Sequence, residues 1–238
     1  IWLPLDIETI DMPEHNLHTA WTLWFDEKLP KSEACHYTEH LEKIATVSTL
    51  EQLIQLYASL KRPSALTNDI TLHVMRSYKK EGETEEGEEY NHVIPAWEEM
   101  DKDGGIWIMR LARPKQRKAK KGKKNAEPLL PEPEAAKPKE EVKETKPNKN
   151  EIGTDKKWES VLLAVCSERM MEPKLVGVSL SVRADSFSFT LWHKEGLTSQ
   201  ERERIEAKFR STLGLKAPMR LEHKDCSAAL RAAKVHRQ

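Results

Sequence analysis

Trp97 and Glu98 are consecutive in the stretch PAWEEMDKDGGIW, Pro95 to Trp107. An indole beside a carboxylate has a specific chemical use. Guanine presents N1–H and its N2 amino group as adjacent donors, so one carboxylate can accept both while an aromatic ring stacks on the base. Methylation at N7 makes the base cationic, which adds a cation–π contribution to the stacking and strengthens the hydrogen bonds to the carboxylate. Two rings hold such a base better than one, so a second aromatic is expected opposite Trp97.

A tryptophan is more often core than recognition surface, and this chain has seven against four phenylalanines and four tyrosines. Trp21, Trp107 and Trp158 fit the core reading, because each falls on strand-like or helix-like sequence with apolar neighbours. Trp97 differs. It follows Pro95 and precedes Glu98, Glu99, Asp101 and Asp103, so a buried ring would have few apolar partners in its own loop.

Other chemistries find little support. The sequence has no P-loop, no Gly-x-Gly-x-x-Gly and no Gly-x-Ser-x-Gly, and nine glycines are few for loops that cradle phosphate. His36 and His40 have the spacing of two zinc ligands on a helix, but the stretch lacks helical periodicity and a second ligand cluster, so an exposed loop is expected. Cys35, Cys166 and Cys226 are odd in number and lack metal or redox spacing, as in a reducing compartment. No catalytic residue, metal or cofactor is expected, and the chain reads as a binding protein rather than an enzyme.

The elements that must position these residues follow from periodicity. Ala20–Phe25, Ile70–Met75, Ile106–Leu111, Val176–Val182 and Phe187–Trp192 alternate as strands, with turns at Asp103-Gly104-Gly105 and Arg183-Ala184-Asp185. Ser48-Thr-Leu-Glu51 reads as a capping box opening a helix over Leu50–Leu60. A second helix is expected from about Asp155 to Met170. A third opens with the box Thr198-Ser-Gln-Glu201 and stops at Gly214. The fold class is α+β, a curved and mostly antiparallel sheet with three helices on its convex face.

The formal net charge of zero conceals an asymmetry: −11 over residues 1–112, +7 over 113–157 and +4 over 158–238. Residues 113–155 are rich in Lys, Glu and Pro and poor in apolar groups, so they are expected to be a disordered insertion. Residues 1–112 and 156–238 then form a single domain. Arg113 to Lys124 holds eight basic residues and no acidic one, a run that attracts phosphate chains or acidic proteins. No run of 18 apolar residues occurs, and neither a signal peptide nor a membrane partner is expected.

Six stretches in order, HNLHTAWTLWF, TLEQLIQLY, PAWEEMDKDGGIW, WESVLLAVCSE, SVRADSFSFTLW and LGL, resemble the eukaryotic translation initiation factor 4E family, which binds the 7-methylguanosine cap of messenger RNA. The resemblance implies that Trp97 is one of two cap-stacking rings, Glu98 the guanine-reading carboxylate, Trp192 a contact to the N7-methyl group and Arg183 a contact to the phosphate bridge. The opposing ring is a tryptophan in the family; here the position falls on Tyr37, with His36 as the alternative. Ile106 and Ser188 occupy two basic positions of the family, so phosphate contacts are thinned, and a basic residue from 115 to 124 is expected to supplement them.

The resemblance also implies a partner surface for a helix bearing Tyr-x4-Leu-Φ, where Φ is apolar, from a 4G-type scaffold factor or a 4E-binding protein. Its residues here are His15, Asn16, Leu50, Ile54, Glu159, Ser160 and Leu163. Ile54 stands for a tryptophan and Glu159 for a leucine, which alters partner choice. Leu53, Tyr57 and Leu162 are expected to face the sheet. The implied role is a cytoplasmic translation factor, with the nucleus as a second compartment. The alternative is a cap-weak paralogue acting as a protein-interaction module or translational repressor.

Overall fold

Period-two alternation builds one open sheet of eight strands, and helical periodicity supplies the layer that covers it. The computed structural model describes residues 14–27, 37–80, 89–113, 149–170, 172–215 and 219–228, apart from the side chains of 37, 39 and 149–152. Strands β1 (Asn16–Glu27), β2 (Glu42–Thr49), β3 (Ile70–Lys79), β4 (Tyr90–His92), β5 (Gly105–Ala112), β6 (Leu175–Val182), β7 (Ser186–His193) and β8 (Glu222–Asp225) lie in the order β2-β1-β3-β6-β7-β5-β8, with β4 on β3. Every ladder is antiparallel. All five expected strands are present within this set.

Three helices, α1 (Leu50–Ser59), α2 (Lys149–Cys166) and α3 (Ser199–Thr212), pack on one face of the sheet. That face is the main core. Trp21, Leu23, Leu72, Val74, Trp107, Leu180, Phe187 and Leu191 of the strands meet Leu53, Trp158, Leu162, Val165, Ile205 and Phe209 of the helices. Trp21, Trp107 and Trp158 are fully buried there, as their sequence context implies. Burying a large side chain of this kind stabilises the fold by roughly 1.5–3 kcal/mol.

The helix ends show how local sequence is satisfied. Helix α1 is capped one residue later than the sequence suggests. The Thr49 hydroxyl accepts from Gln52 N–H, while the Gln52 side chain accepts from Ser48 N–H. Glu51, thus released, accepts from the backbone N–H of His15 at 2.9 Å and meets the His15 ring at 2.7 Å. The capping box at Thr198 and Glu201 forms as expected. Gly214, at φ 58°, closes α3, with Leu215 N–H bonded to Arg210 O and Gly214 N–H to Ser211 O.

Helix α2 starts earlier than expected, at Lys149 rather than about Asp155. Asp155 instead accepts from Ser64 N–H at 2.8 Å and from the Ser64 hydroxyl at 2.7 Å, tying α2 to the one-turn helix Pro63–Ala65. Most of the expected insertion, residues 114–148, and with it the run of basic residues, lies outside the described residues.

Candidate functional site

The face of the sheet away from the helices is organised by register into cross-strand rows. One row runs Met75, Gly177, Trp192, Ile106; the next runs Trp24, His73, Ser179, Thr190, Ile108; the third runs Asp26, Thr71, Ser181, Ser188, Arg110. The floor therefore grades from apolar, through mixed, to hydroxyl-lined. An open cleft of about 600 Å³ lies over these rows. The strand alternation alone dictates this, since residues two apart share a face.

The loop before β5 carries Trp97 and Glu98 over the apolar end of the cleft. It is held at both sides of the pair: Ala96 and Met100 are buried, and Trp97–Glu99 forms a single 3-10 turn with Met100 N–H bonded to Trp97 O. Asp101 N–H donates to Lys194 O and Gly104 N–H to Asp101 O. A Cβ on Gly104 would lie 2.4 Å from Lys194 O, so the loop can lie this close to the strand end only with glycine there.

Trp97 is neither free nor core. It is half-buried against a second apolar cluster formed by Met75, Val93, Met100, Ile106, Val176 and Trp192, so the polar loop does find it apolar partners, supplied by distant strands. Glu98 is exposed at the rim. Trp192 is 5% exposed, and its indole N–H donates to Ser179 Oγ at 2.8 Å. Ser179 Oγ lies 2.7 Å from His73 Nδ1. His73 is held neutral by burial, and secondarily by the Arg183 charge, with its pKa pushed down to about 3.

Arg183 closes the hydroxyl end. Its guanidinium donates to Val182 O at 3.1 Å and Ile70 O at 3.4 Å, with Asp69 only at 4.0 Å. Backbone carbonyls fix its position without cancelling its charge. Asp26, partly buried at the same end, has its carboxyl raised by desolvation against the opposing pull of Arg183 and His40.

The structure thus brings Trp97, Glu98, Arg183 and Trp192 to one cleft. Tyr37 opens the one-turn helix Tyr37–His40, but its side chain lies outside the described residues, as does His36. Ile106 and Ser188 line the cleft as uncharged residues. Sequence reasoning missed Arg110, Asp26 and His73, which also line it. The alternation Ile106, Ile108, Arg110 carries the signal for Arg110; the other two need the pairing of β1 and β3 with the central strands.

The second set of residues lies on the helical side. Leu50 N–H donates to His15 O at 2.8 Å, and Asn16 pairs with Thr49. Tyr57 OH donates to Glu159 at 3.3 Å, placing α1 against α2. Glu159 and Ser160 are exposed, and Ile54 and Leu163 stand out as apolar residues in solvent, 55% and 40% exposed. Leu53 and Leu162 are buried and Tyr57 partly so, all three in the core beneath the helices.

Among the described residues no group of three or more His, Cys, Asp or Glu is placed to hold a metal ion, and no helix is long and apolar enough to cross a membrane.

Comparison with known proteins agrees with this arrangement. The family model described as eukaryotic initiation factor 4E matches residues 16–238. The eukaryotic translation initiation factor isoform 4E of Nicotiana tabacum is 23% identical over 189 residues, 79% of this chain and 69% of that protein. Among solved structures, C. elegans eIF4E-3 in complex with the 4E-binding protein Mextli superposes with a TM-score of 0.65 at 16% identity, covering 91% of this chain and 96% of that one. Ascaris suum eIF4E-3 with the m2,2,7G cap gives 0.61 at 17% identity, covering 90% and 92%. The last two show a shared fold. With a family match running through every strand and helix described above, this chain belongs to the eukaryotic initiation factor 4E family.

Proposed function

We propose that this protein binds the 7-methylguanosine cap of messenger RNA in the cleft under Trp97 and acts in translation initiation. One observation carries the reading: an indole and a carboxylate, consecutive in sequence, sit on a fixed turn over a cleft floored by a locked tryptophan and closed by an arginine. In this reading Trp97 stacks on the base, Glu98 accepts from N1–H and N2, Trp192 lies against the N7-methyl group, and Arg183 meets the phosphate bridge. Tyr37 is the ring assigned to the opposite face of the base. Family membership supports it, as does the m2,2,7G cap that accompanies the Ascaris suum relative in its crystal structure. Because tyrosine offers less area and a weaker cation–π surface than tryptophan, cap affinity below that of a two-tryptophan site is expected.

Tryptophan fluorescence tests this directly. Titration with 7-methylguanosine triphosphate should quench emission far more than titration with guanosine triphosphate, and Trp97→Ala and Glu98→Ala should each remove the difference. Quenching that ignores the methyl group, or that survives both substitutions, rules the site out.

Recruitment of a protein partner is proposed for the helical side, with His15, Asn16, Leu50, Ile54, Glu159, Ser160 and Leu163 forming the contact. The exposed Ile54 and Leu163 on two adjoining helices support it, and the 4E-binding protein in complex with the C. elegans relative points to the class of partner. A 4G-type scaffold or a 4E-binding protein, presenting a Tyr-x4-Leu-Φ helix, is the expected occupant. The same two apolar residues favour the second reading, a cap-weak member that works through this surface as an interaction module or repressor. Cytoplasmic action, with nuclear residence as a second site, belongs to both readings.

A further inference from the structure

Cleft residues divide by charge in a way the cap reading alone does not use. The hydroxyl row ends in Arg110, which stands directly opposite Ser188 in the β5–β7 ladder, two strands from β6, whose last residue Val182 is followed by Arg183. Between the two arginines lie Ser181 and Ser188, small donors that leave room above them. Beyond Arg110 the floor continues into a second hollow of about 340 Å³ that shares Ile108 and Arg110 and adds Met219, Arg220 and Glu222. The groove therefore runs from Trp97 to an end lined by Arg110, Arg220 and Glu222.

Arg110 is half-exposed and bonded to Glu222 at 2.7 Å. Glu222 has a second cation at hand, Lys224 Nζ at 3.4 Å. An exposed ion pair of this kind is weak, and Glu222 keeps a partner if Arg110 swings into the groove. A phosphate oxygen pair would offer the guanidinium a doubly bonded anion of higher charge than the carboxylate it leaves.

We propose that Arg110 is the second anchor for the phosphate chain of the capped end, acting with Arg183 across Ser181 and Ser188, and that Glu222 holds it in reserve until that chain arrives. This rests on the cap reading above and names the part of the ligand that reads each arginine. The anion is a chain of two or more phosphates attached to the stacked base; a single phosphate reaches Arg183 without reaching Arg110.

The test uses the whole chain and tryptophan fluorescence with 7-methylguanosine monophosphate and triphosphate. The wild type should prefer the triphosphate. Arg110→Gln should cost triphosphate affinity about tenfold, the scale of a lost hydrogen bond to a charged group, and leave the monophosphate unaffected. Arg110→Lys should recover part of the loss. Glu222→Gln, which releases Arg110, should tighten the triphosphate and make its binding fall more steeply with salt. Thermal unfolding of each variant separates these effects from loosening of β8. If the wild type binds methylated cap but Arg110→Gln discriminates mono- from triphosphate as before, Arg110 is only a structural tie between β5 and Glu222. If the wild type shows no methyl-dependent binding, the cap reading falls and this subsite falls with it.

Discussion

The indole nitrogen of Trp192 lies 2.8 Å from the hydroxyl of Ser179, and that one hydrogen bond orients the floor of the cleft. The indole cannot rotate without leaving a buried donor unpaired, and Ser179 cannot serve it without also serving His73, 2.7 Å away. Three strands, β3, β6 and β7, are thereby fixed to one another on the ligand side of the sheet.

Ser179→Ala should therefore do more than remove a hydroxyl. It takes the acceptor from the buried Trp192 N–H and the Ser179 contact from His73, a cost of about 1–3 kcal/mol in urea unfolding. Methylated-guanine affinity should drop with it, because the indole beneath the ligand is no longer held. Ser179→Thr, which keeps the hydroxyl, should restore much of both. Binding unchanged in Ser179→Ala would show that Trp192 is positioned by packing alone.

How far the sequence carries the site depends on the range of each signal. Trp97 and Glu98 are legible because they adjoin one another, and the helix stop at Gly214 because a positive φ asks for glycine locally. The cap of α1 lies one residue from its expected place because Ser48 and Thr49 carry the same hydroxyl. What decides between them is Glu51, drawn away by His15 thirty-six positions distant. The half-burial of Trp97 is unreadable for a similar reason: its apolar neighbours Met75, Val176 and Trp192 come from β3, β6 and β7. Arg110 escapes a linear reading because its meaning lies across the ladder, opposite Ser188.

Gly105 carries a constraint that the sequence suggests only as a turn. A Cβ there would lie 2.6 Å from His193 Nε2 and 2.7 Å from Lys224 O. His193 Nε2 and His223 Nε2 are 3.0 Å apart over this glycine, with both rings against Trp107. Gly105→Ala should push β5 from β8 and destabilise the fold by roughly 1–3 kcal/mol, the range for overpacking a tight site. Thermal unfolding reads it, and a midpoint unchanged from the wild type would mean that the two imidazoles move aside freely.

The exposed pair on the helices makes the opposite prediction. Ile54→Ala with Leu163→Ala removes side chains that are 55% and 40% exposed, so stability should change by about 1 kcal/mol or less. Binding of a Tyr-x4-Leu-Φ peptide, measured by calorimetry, should be lost, since apolar anchors at the centre of a helix-in-groove contact dominate its energy. Cap binding should not change. A peptide that binds the double variant as it binds the wild type would place its site elsewhere.

Two buried imidazoles give the fold a defined response to acid. Burial holds His73 at about 3 and His193 at about 4, against about 6.5 in an unfolded chain. Between those values the unfolded state binds protons that the folded state refuses, so stability is fully present above pH ~6.5 and falls as the pH drops toward the folded values. Each fully buried group contributes at most about 1.4 kcal/mol per pH unit, so moving from pH 7.5 to 5 should cost roughly 2–4 kcal/mol in urea unfolding. The carboxylates held low by their partners, Glu51 and Glu201 at about 2, begin to add to this loss only near and below about pH 4.3, where unfolded glutamates take up protons. The window between 7.5 and 5 is thus left to histidine. His73→Gln keeps a polar partner for Ser179 without a titrating ring and should flatten the slope, the remainder staying with His193 and with His92 and His223, whose pKa values burial also lowers. An unchanged slope in that variant would assign the acid response to groups other than the imidazole beneath the cleft.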